Sequence, residues 1–131
     1  MRDLKEGALG GGAVVLAATD PANPFGVSLA WPAWCAGEGE RRARAHVVIA
    51  DGELTMLLFG EGAQAMVHLP ETNGDGERLA RLSGRAVASW MHRRALRIIG
   101  HESKGVPLNR SVMARSLTEA GLIPSGPGFR L

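Results

Sequence analysis

The sequence has a single cysteine and no long apolar run, and these absences exclude several classes of protein. Cys35 is the single cysteine, so no disulfide can form within the chain and a disulfide-stabilised secreted domain is excluded. No apolar run approaches the roughly 20 residues that a membrane-spanning helix requires. The charged residues at the start lack the apolar stretch of a secretory signal. These absences predict a cytoplasmic protein with no membrane partner.

Lysine is also scarce, because 13 of the 15 basic residues are arginine. A phosphate-binding P-loop needs a lysine directly after its glycines, and neither Lys5 nor Lys104 stands in such a setting. The four histidines are isolated from one another, which predicts no zinc site. No serine lies in a nucleophile elbow. We therefore expect no catalytic site, no metal and no cofactor in this chain.

What the sequence does contain is enough apolar material for one folded domain. The 131 residues are 45% hydrophobic and 21% charged, which is typical of a single globular domain. Residues 1–12 are charged and then rich in glycine, which predicts a flexible lead-in to a domain that occupies the whole of 1–131.

Strand patterns dominate the first half of the chain. Apolar runs and the turns between them predict five strands, at Ala13–Ala18, Val27–Pro32, His46–Ala50, Glu53–Phe59 and Ala63–Leu69. The second ends at a proline, which is typical of an edge strand. Asp51-Gly52 is typical of a two-residue hairpin turn with two positive φ values. The last three strands are therefore predicted to form an antiparallel meander.

Helical periodicity begins after residue 76. An apolar stripe of Leu79, Leu82, Ala86 and Trp90 predicts a first helix, in which Gly84 indicates close packing or a bend. A strand at 95–99, a second helix capped by Asn109 and stopped by Gly121, and a closing strand in the tail complete the order β-β-β-β-β-α-β-α-β. We expect an α+β domain whose antiparallel meander or partly closed sheet carries two helices.

The first helix carries a row of arginines. Arg78, Arg81 and Arg85 are spaced to share one face, and Arg93, Arg94 and Arg97 continue the positive charge into the next strand. Such a row can lie along a phosphate backbone, so these six residues are the candidate nucleic-acid-binding residues. The residue pattern alone favours a solvated helix face, whose last arginines compensate the helix dipole.

Two other groups have the same ambiguity. Arg41, Arg42 and Arg44 form a second basic cluster in a predicted exposed loop. Trp31 and Trp34 lie just before that loop, where exposed indoles can stack on unpaired bases. Core packing is the commoner fate of tryptophan.

Three segments carry a resemblance to a known family. Asp20-Pro-Ala-Asn-Pro-Phe-Gly26, then Leu29-Ala-Trp-Pro32, and the ending Glu119-Ala-Gly-Leu-Ile-Pro-Ser-Gly-Pro-Gly-Phe-Arg-Leu131 resemble the C-terminal part of large helicase-related (Lhr-type) helicases. The resemblance extends from about Ala13 to Leu131. It implies a C-terminal module excised from a much longer superfamily 2 helicase, whose ATP-hydrolysing motor lies upstream and which acts on single-stranded DNA or RNA–DNA hybrids in DNA repair.

Three functional hypotheses follow from the residues and the resemblance together. The leading one is a non-catalytic accessory module that contacts nucleic acid or neighbouring helicase modules. The second is a base-excision module of the uracil glycosylase type, which the resemblance suggests and for which Asp20 is the only acid that we would name. The third is a structural module that self-associates through its tryptophans and sheet edges.

Overall fold

We describe a computed structural model of the chain, covering residues 12–25, 28–35, 45–59, 64–69, 75–94, 97–102 and 105–131. These residues form seven strands and two α-helices, with short 3-10 turns at Ala33–Cys35 and Leu108–Arg110. In chain order the elements are β1 (Ala13–Ala17), β2 (His46–Ala50), β3 (Glu53–Phe59), β4 (Gln64–Val67), α1 (Asp75–Arg94), β5 (Arg97–Glu102), α2 (Val112–Glu119), β6 (Ile123–Ser125) and β7 (Gly128–Arg130).

All the described strands belong to one sheet in the order β1-β2-β3-β4-β5-β7-β6. The predicted meander is confirmed, because β2, β3 and β4 pair antiparallel in succession. Asp51 and Gly52 turn the first hairpin with φ values of 52° and 85°, as a type I′ turn requires. The pairing of β4 with β5 is parallel, and α1 makes the crossover between them. The α+β class is thus confirmed, and the sheet is open rather than closed.

Two strand predictions differ from the structure. In the described part of the expected edge strand 27–32, Leu29 forms only an isolated bridge with Phe25. The amides of Ser28 and Leu29 both donate to the Pro24 carbonyl, at 3.0 and 2.9 Å, so this segment closes a tight turn instead of extending. The tail forms a hairpin of two strands rather than one, since β6 pairs with β7 and β7 joins β5.

The two faces of the sheet are covered by different parts of the chain. Both helices pack on one face and enclose the helix-side core, whose sheet residues are Val48, Met56, Leu58, Ala65, Val67, Ile98 and Phe129. Residues 18–25 and 28–35 lie against β1, β2 and β3 on the other face, where Phe25 and Cys35 are buried against Val47, Leu57 and Phe59. Because successive strand residues point to opposite faces, the residues of β4, β5 and β7 that alternate with those of the helix-side core point away from the helices.

The apolar stripe predicted for α1 is displaced around the helix. Leu79 is buried, but Leu82, Ala86 and Trp90 are only half-buried. The residues that face the core are dominated by small side chains, namely Ala80, Ser83, Gly84, Val87, Ala88 and Met91. A Cβ on Gly84 would lie 3.0 Å from the Ser116 carbonyl oxygen, so the expected close packing at this glycine is confirmed. The apolar pattern did not predict this face of α1, because most of the residues that are buried there are small rather than strongly apolar.

The second helix begins at a different cap from the one predicted. Asn109 lies in the 3-10 turn, and Ser111 is the N-cap, with its hydroxyl oxygen accepting from the Met113 amide at 3.2 Å. The prediction of Asn109 was wrong because the 3-10 turn delays the helix by two residues. Gly121 has a φ of +106°, which confirms it as the C-terminal stop.

Candidate nucleic-acid interface

The arginine row on α1 (Arg78, Arg81 and Arg85) faces solvent, and two of its members lie beside carboxylates. The Arg78 guanidinium donates to Asp51 in the β2–β3 turn. Arg81 Nη1 lies 3.5 Å from Glu77 Oε1, one turn earlier on the same helix. Both pairs are exposed enough for water and salt to screen them, so each contributes little to stability. Two of the three positive charges are thus partly compensated within the chain.

Arg85 completes the row and is exposed. Among the described residues no carboxylate lies within ion-pair distance of its guanidinium. It therefore presents a full positive charge, held on the rigid middle of a helix of 20 residues. Such a group can pair with a phosphate at little cost, because no internal ion pair has to break.

The structure does not join the six predicted arginines into one surface. Arg93 and Arg94 end α1, and their side chains lie outside the described residues. Arg97 is exposed on β5, whereas its neighbour Ile98 is fully buried in the helix-side core. Because successive strand residues point to opposite faces, the Arg97 side chain lies on the face that the helices do not cover. The charge that is continuous in sequence is thus divided between two faces of the sheet.

Sequence analysis missed Arg130, which the fold brings beside Arg97. The two residues are direct partners in the antiparallel pairing of β5 with β7, so their side chains emerge on the same face. Both are exposed. No local sequence pattern could indicate this pair, because 32 residues lie between the two arginines.

The two tryptophans are largely structural. Trp31 and Trp34 are half-buried and pack against the cluster that contains Phe25 and Cys35. The Trp34 ring stacks on His68 with a centroid distance of 5.4 Å and an interplanar angle of 11°. The ring centroids of Trp31 and Phe25 are 6.2 Å apart. Core packing, the alternative that residue statistics favoured, accounts for these contacts. The second basic cluster, Arg41, Arg42 and Arg44, lies outside the described residues.

Residues 20–25, which contain Pro21 and Pro24, form a hydrogen-bonded corner. Asp20 Oδ1 accepts from the Ala22 amide at 2.8 Å, which closes an Asx turn. Asn23 is 3% exposed and uses both ends of its amide. Its Nδ2 donates to the Ala18 carbonyl at 2.8 Å, and its Oδ1 accepts from the Phe25 amide at 3.1 Å. This corner therefore directs the chain from β1 across the sheet.

Neither a metal-binding cluster nor a membrane-spanning helix is present among the described residues. Within the described ranges, no three His, Cys, Asp or Glu side chains are grouped closely enough to hold a metal ion. Among the described helices, none combines the length and the apolar character needed to cross a membrane. What the described residues do present is charge, in the α1 row and in the pair of arginines on the sheet.

The chain is similar to a protein of Mycolicibacterium smegmatis named as a Lhr helicase and probable uracil glycosylase. The two are 33% identical in an alignment of 126 positions, gaps included, that covers 91% of this chain and 8% of that protein. The chain thus spans less than a tenth of the length of the curated relative that it matches. No protein-family model matches the chain. The similarity fits a segment of a helicase, in agreement with the resemblance found in the sequence.

Proposed function

We propose that this chain is a non-catalytic accessory module of an ATP-dependent DNA helicase and that it contacts nucleic acid through α1. The proposal includes a single domain, a parent protein that acts on single-stranded DNA or RNA–DNA hybrids in DNA repair, and packing against upstream modules. Its support is the similarity to a segment of a named helicase. The observation that carries the nucleic-acid contact is the exposed arginine row on α1.

The geometry of α1 suits a phosphate backbone. Arg81 and Arg85 lie about one helical turn apart, which is about 6 Å along the axis, and both are exposed. A guanidinium keeps its charge at any working pH and can pair with two phosphate oxygens at once. The carboxylates of Asp51 and Glu77 hold the first two arginines of the row in place while leaving Arg85 to attract the strand.

Fluorescence anisotropy with a labelled single strand tests this proposal. We expect the wild-type chain to bind at low salt and to weaken steeply as salt rises. Arg85→Glu reverses one charge of the row and should reduce the affinity by about tenfold or more. Arg110→Glu makes the same change at an exposed arginine outside α1 and serves as the matched control. Equal affinities of the two variants would contradict the role of the row.

A second candidate is base excision, and the name of the similar protein favours it. Asp20 is the acid that this hypothesis would use, although its Oδ1 already accepts a hydrogen bond within the turn. Incubation with a uracil-containing oligonucleotide, followed by scoring of abasic-site cleavage, tests the activity. Asp20→Asn keeps the turn acceptor and removes the acid. Activity that survives this change would remove Asp20 from candidacy.

The same purified chain also tests a third role, self-association. If the chain binds no nucleic acid at low salt, packing against neighbouring modules or copies remains as its function. Light scattering over a range of concentrations then separates the two cases. A strict monomer at high concentration would count against self-association of the isolated chain.

A further inference from the structure

Next to the part of the sheet that residues 18–25 and 28–35 cover, the remaining strands present a more open face, at whose border Met66 packs against the Phe25 and Cys35 cluster. We define the open sheet face as the outward residues of β4, β5, β7 and β6, which are Gln64, Met66, Arg97, Ile99, His101, Arg130 and Ile123. Strand pairing fixes their common direction. Gln64 lies opposite Ile99 and Met66 opposite His101, and Arg130 lies between Arg97 and Ile123. The face is exposed or half-buried throughout.

Two arginines side by side at one end of this face form an unusual arrangement. Like charges that are direct partners across two strands destabilise the pairing. Among the described residues no Asp or Glu side chain lies within ion-pair distance of Arg97 or Arg130. Arg130 Nη1 donates to the main-chain oxygen of the last residue, Leu131, at 3.0 Å. An anion lying between the two guanidinium groups would convert this repulsion into attraction.

A groove of about 310 Å³ lies further along β4 and β5, and its lining includes Ile99, which is two residues beyond Arg97 on the same face of β5. Its apolar lining includes Phe59, Met66 and Ile99, and Pro107 and Pro127 also line it. Gln64 adds an amide to the lining, which can donate as well as accept hydrogen bonds. His101 adds an imidazole whose Nδ1 lies 2.8 Å from the Glu102 carbonyl oxygen, so that its Nε2 is the nitrogen left for a ligand. β7 lies close to β5 beside Ile99, because a Cβ on Gly128 would lie 2.5 Å from the Ile99 side chain.

We infer that the open sheet face binds an unpaired nucleic-acid strand, with a phosphate between Arg97 and Arg130 and a base in the adjacent groove. The inference rests on the proposed function and adds a second contact surface to it. Ile99 and Met66 give the base an apolar surface, and Gln64 and His101 meet the hydrogen-bonding edge that only an unpaired base exposes. A stacked duplex keeps its bases out of reach of such a groove.

An acidic protein segment is the alternative occupant, and the groove fits it less well. A peptide that extends a sheet needs an edge strand with free backbone groups. The groove lies over β4 and β5, and each of these strands is paired on both sides. A carboxylate could use the arginine pair, but it would leave the amide and the imidazole of the groove without a role.

The test compares the double variant Arg97→Gln/Arg130→Gln with the charge-matched control Arg110→Gln/Arg115→Gln. Anisotropy is measured with an unpaired strand of about 12 nucleotides, a size within the range bound by one small domain, and with the corresponding duplex. We expect the sheet variant to lose more than about tenfold in affinity for the unpaired strand. Its slope of log affinity against log salt should fall in magnitude by about 0.7, the value for one lost phosphate contact with a single strand. Affinity for the duplex and all affinities of the control should stay near wild type.

The outcomes separate this inference from the proposed function. Loss of binding in Arg85→Glu with full binding in the sheet variant would overturn the inference and leave the proposed function standing. Equal losses for unpaired strand and duplex would also overturn it, because the groove would then have no selectivity. Competition by a polyglutamate peptide as effective as that by unlabelled oligonucleotide would assign the face to an acidic protein. Absence of all binding by the wild-type chain would refute the proposed function itself.

Discussion

Thr55 and Ser83 place two hydroxyl groups inside the helix-side core, and their removal should reveal how strongly they are coupled. Thr55 is the extra residue of a β-bulge, since Val48 lies opposite Met56 while Ile49 lies opposite Leu54. Its Oγ1 lies 2.7 Å from Ser83 Oγ on α1 and donates to the Val48 carbonyl at 3.3 Å. Thr55 and Ser83 are both fully buried.

The expected loss of stability in each variant depends on which hydroxyl group stays buried after its partner is removed. Thr55→Val preserves shape and strand preference but leaves the Ser83 hydroxyl buried without its threonine partner, which costs about 1–3 kcal/mol. Ser83→Ala removes one hydrogen bond while Thr55 keeps its bond to Val48, so the cost is about 1 kcal/mol. The double variant removes both polar groups together. We expect it to be more stable than the sum of the single changes by about 1 kcal/mol.

Urea unfolding monitored by circular dichroism measures these free energies, and thermal melts should show a loss of about 4 °C in Tm for each kcal/mol. Thr118→Val is the matched control, because the Thr118 hydroxyl bonds the Ala114 carbonyl on the exposed side of α2. That change should alter stability by less than about 0.5 kcal/mol. Strict additivity of the two core substitutions would refute the hydrogen bond between bulge and helix.

Two further stability predictions concern the corner and the helix cap. Asn23→Ala should cost about 1–3 kcal/mol, because it leaves the buried Phe25 amide and the half-buried Ala18 carbonyl without this partner; an unchanged urea midpoint would show that the corner does not depend on this side chain. Ser111→Ala should cost about 1 kcal/mol through loss of the N-cap, whereas Asn109→Ala should cost almost nothing, as measured by the same unfolding curves. The reverse order would restore Asn109 as the cap.

Local signals account for the parts of the fold that the sequence predicted well. Asp51-Gly52 specified the first hairpin, because few residue pairs accept two positive φ values. The helix of α1 was evident from its period, and Gly84 indicated close packing before α2 was known to lie against it. In each case the determining interaction lies within a few residues of the chain or depends on one small side chain.

The remaining features depend on contacts that no local pattern contains. The parallel pairing of β4 with β5 requires the whole of α1 as a crossover, and it separates Arg97 from the α1 row by placing it on the other face. Arg130 became part of a candidate site only because the tail hairpin adds β7 beside β5. Small residues gave α1 its buried face, so a search for large apolar side chains located that face incorrectly.

The central claim is that exposed arginines of this chain bind nucleic acid, and the salt dependence of affinity tests it most directly. The dissociation constant of the wild-type chain for an unpaired strand is measured from about 50 to about 200 mM salt. One phosphate at Arg85 and one between Arg97 and Arg130 predict a log–log slope of at least about 1.4 in magnitude, since each phosphate contact with a single strand contributes about 0.7. A slope near zero, or no binding at the lowest salt, would contradict the account.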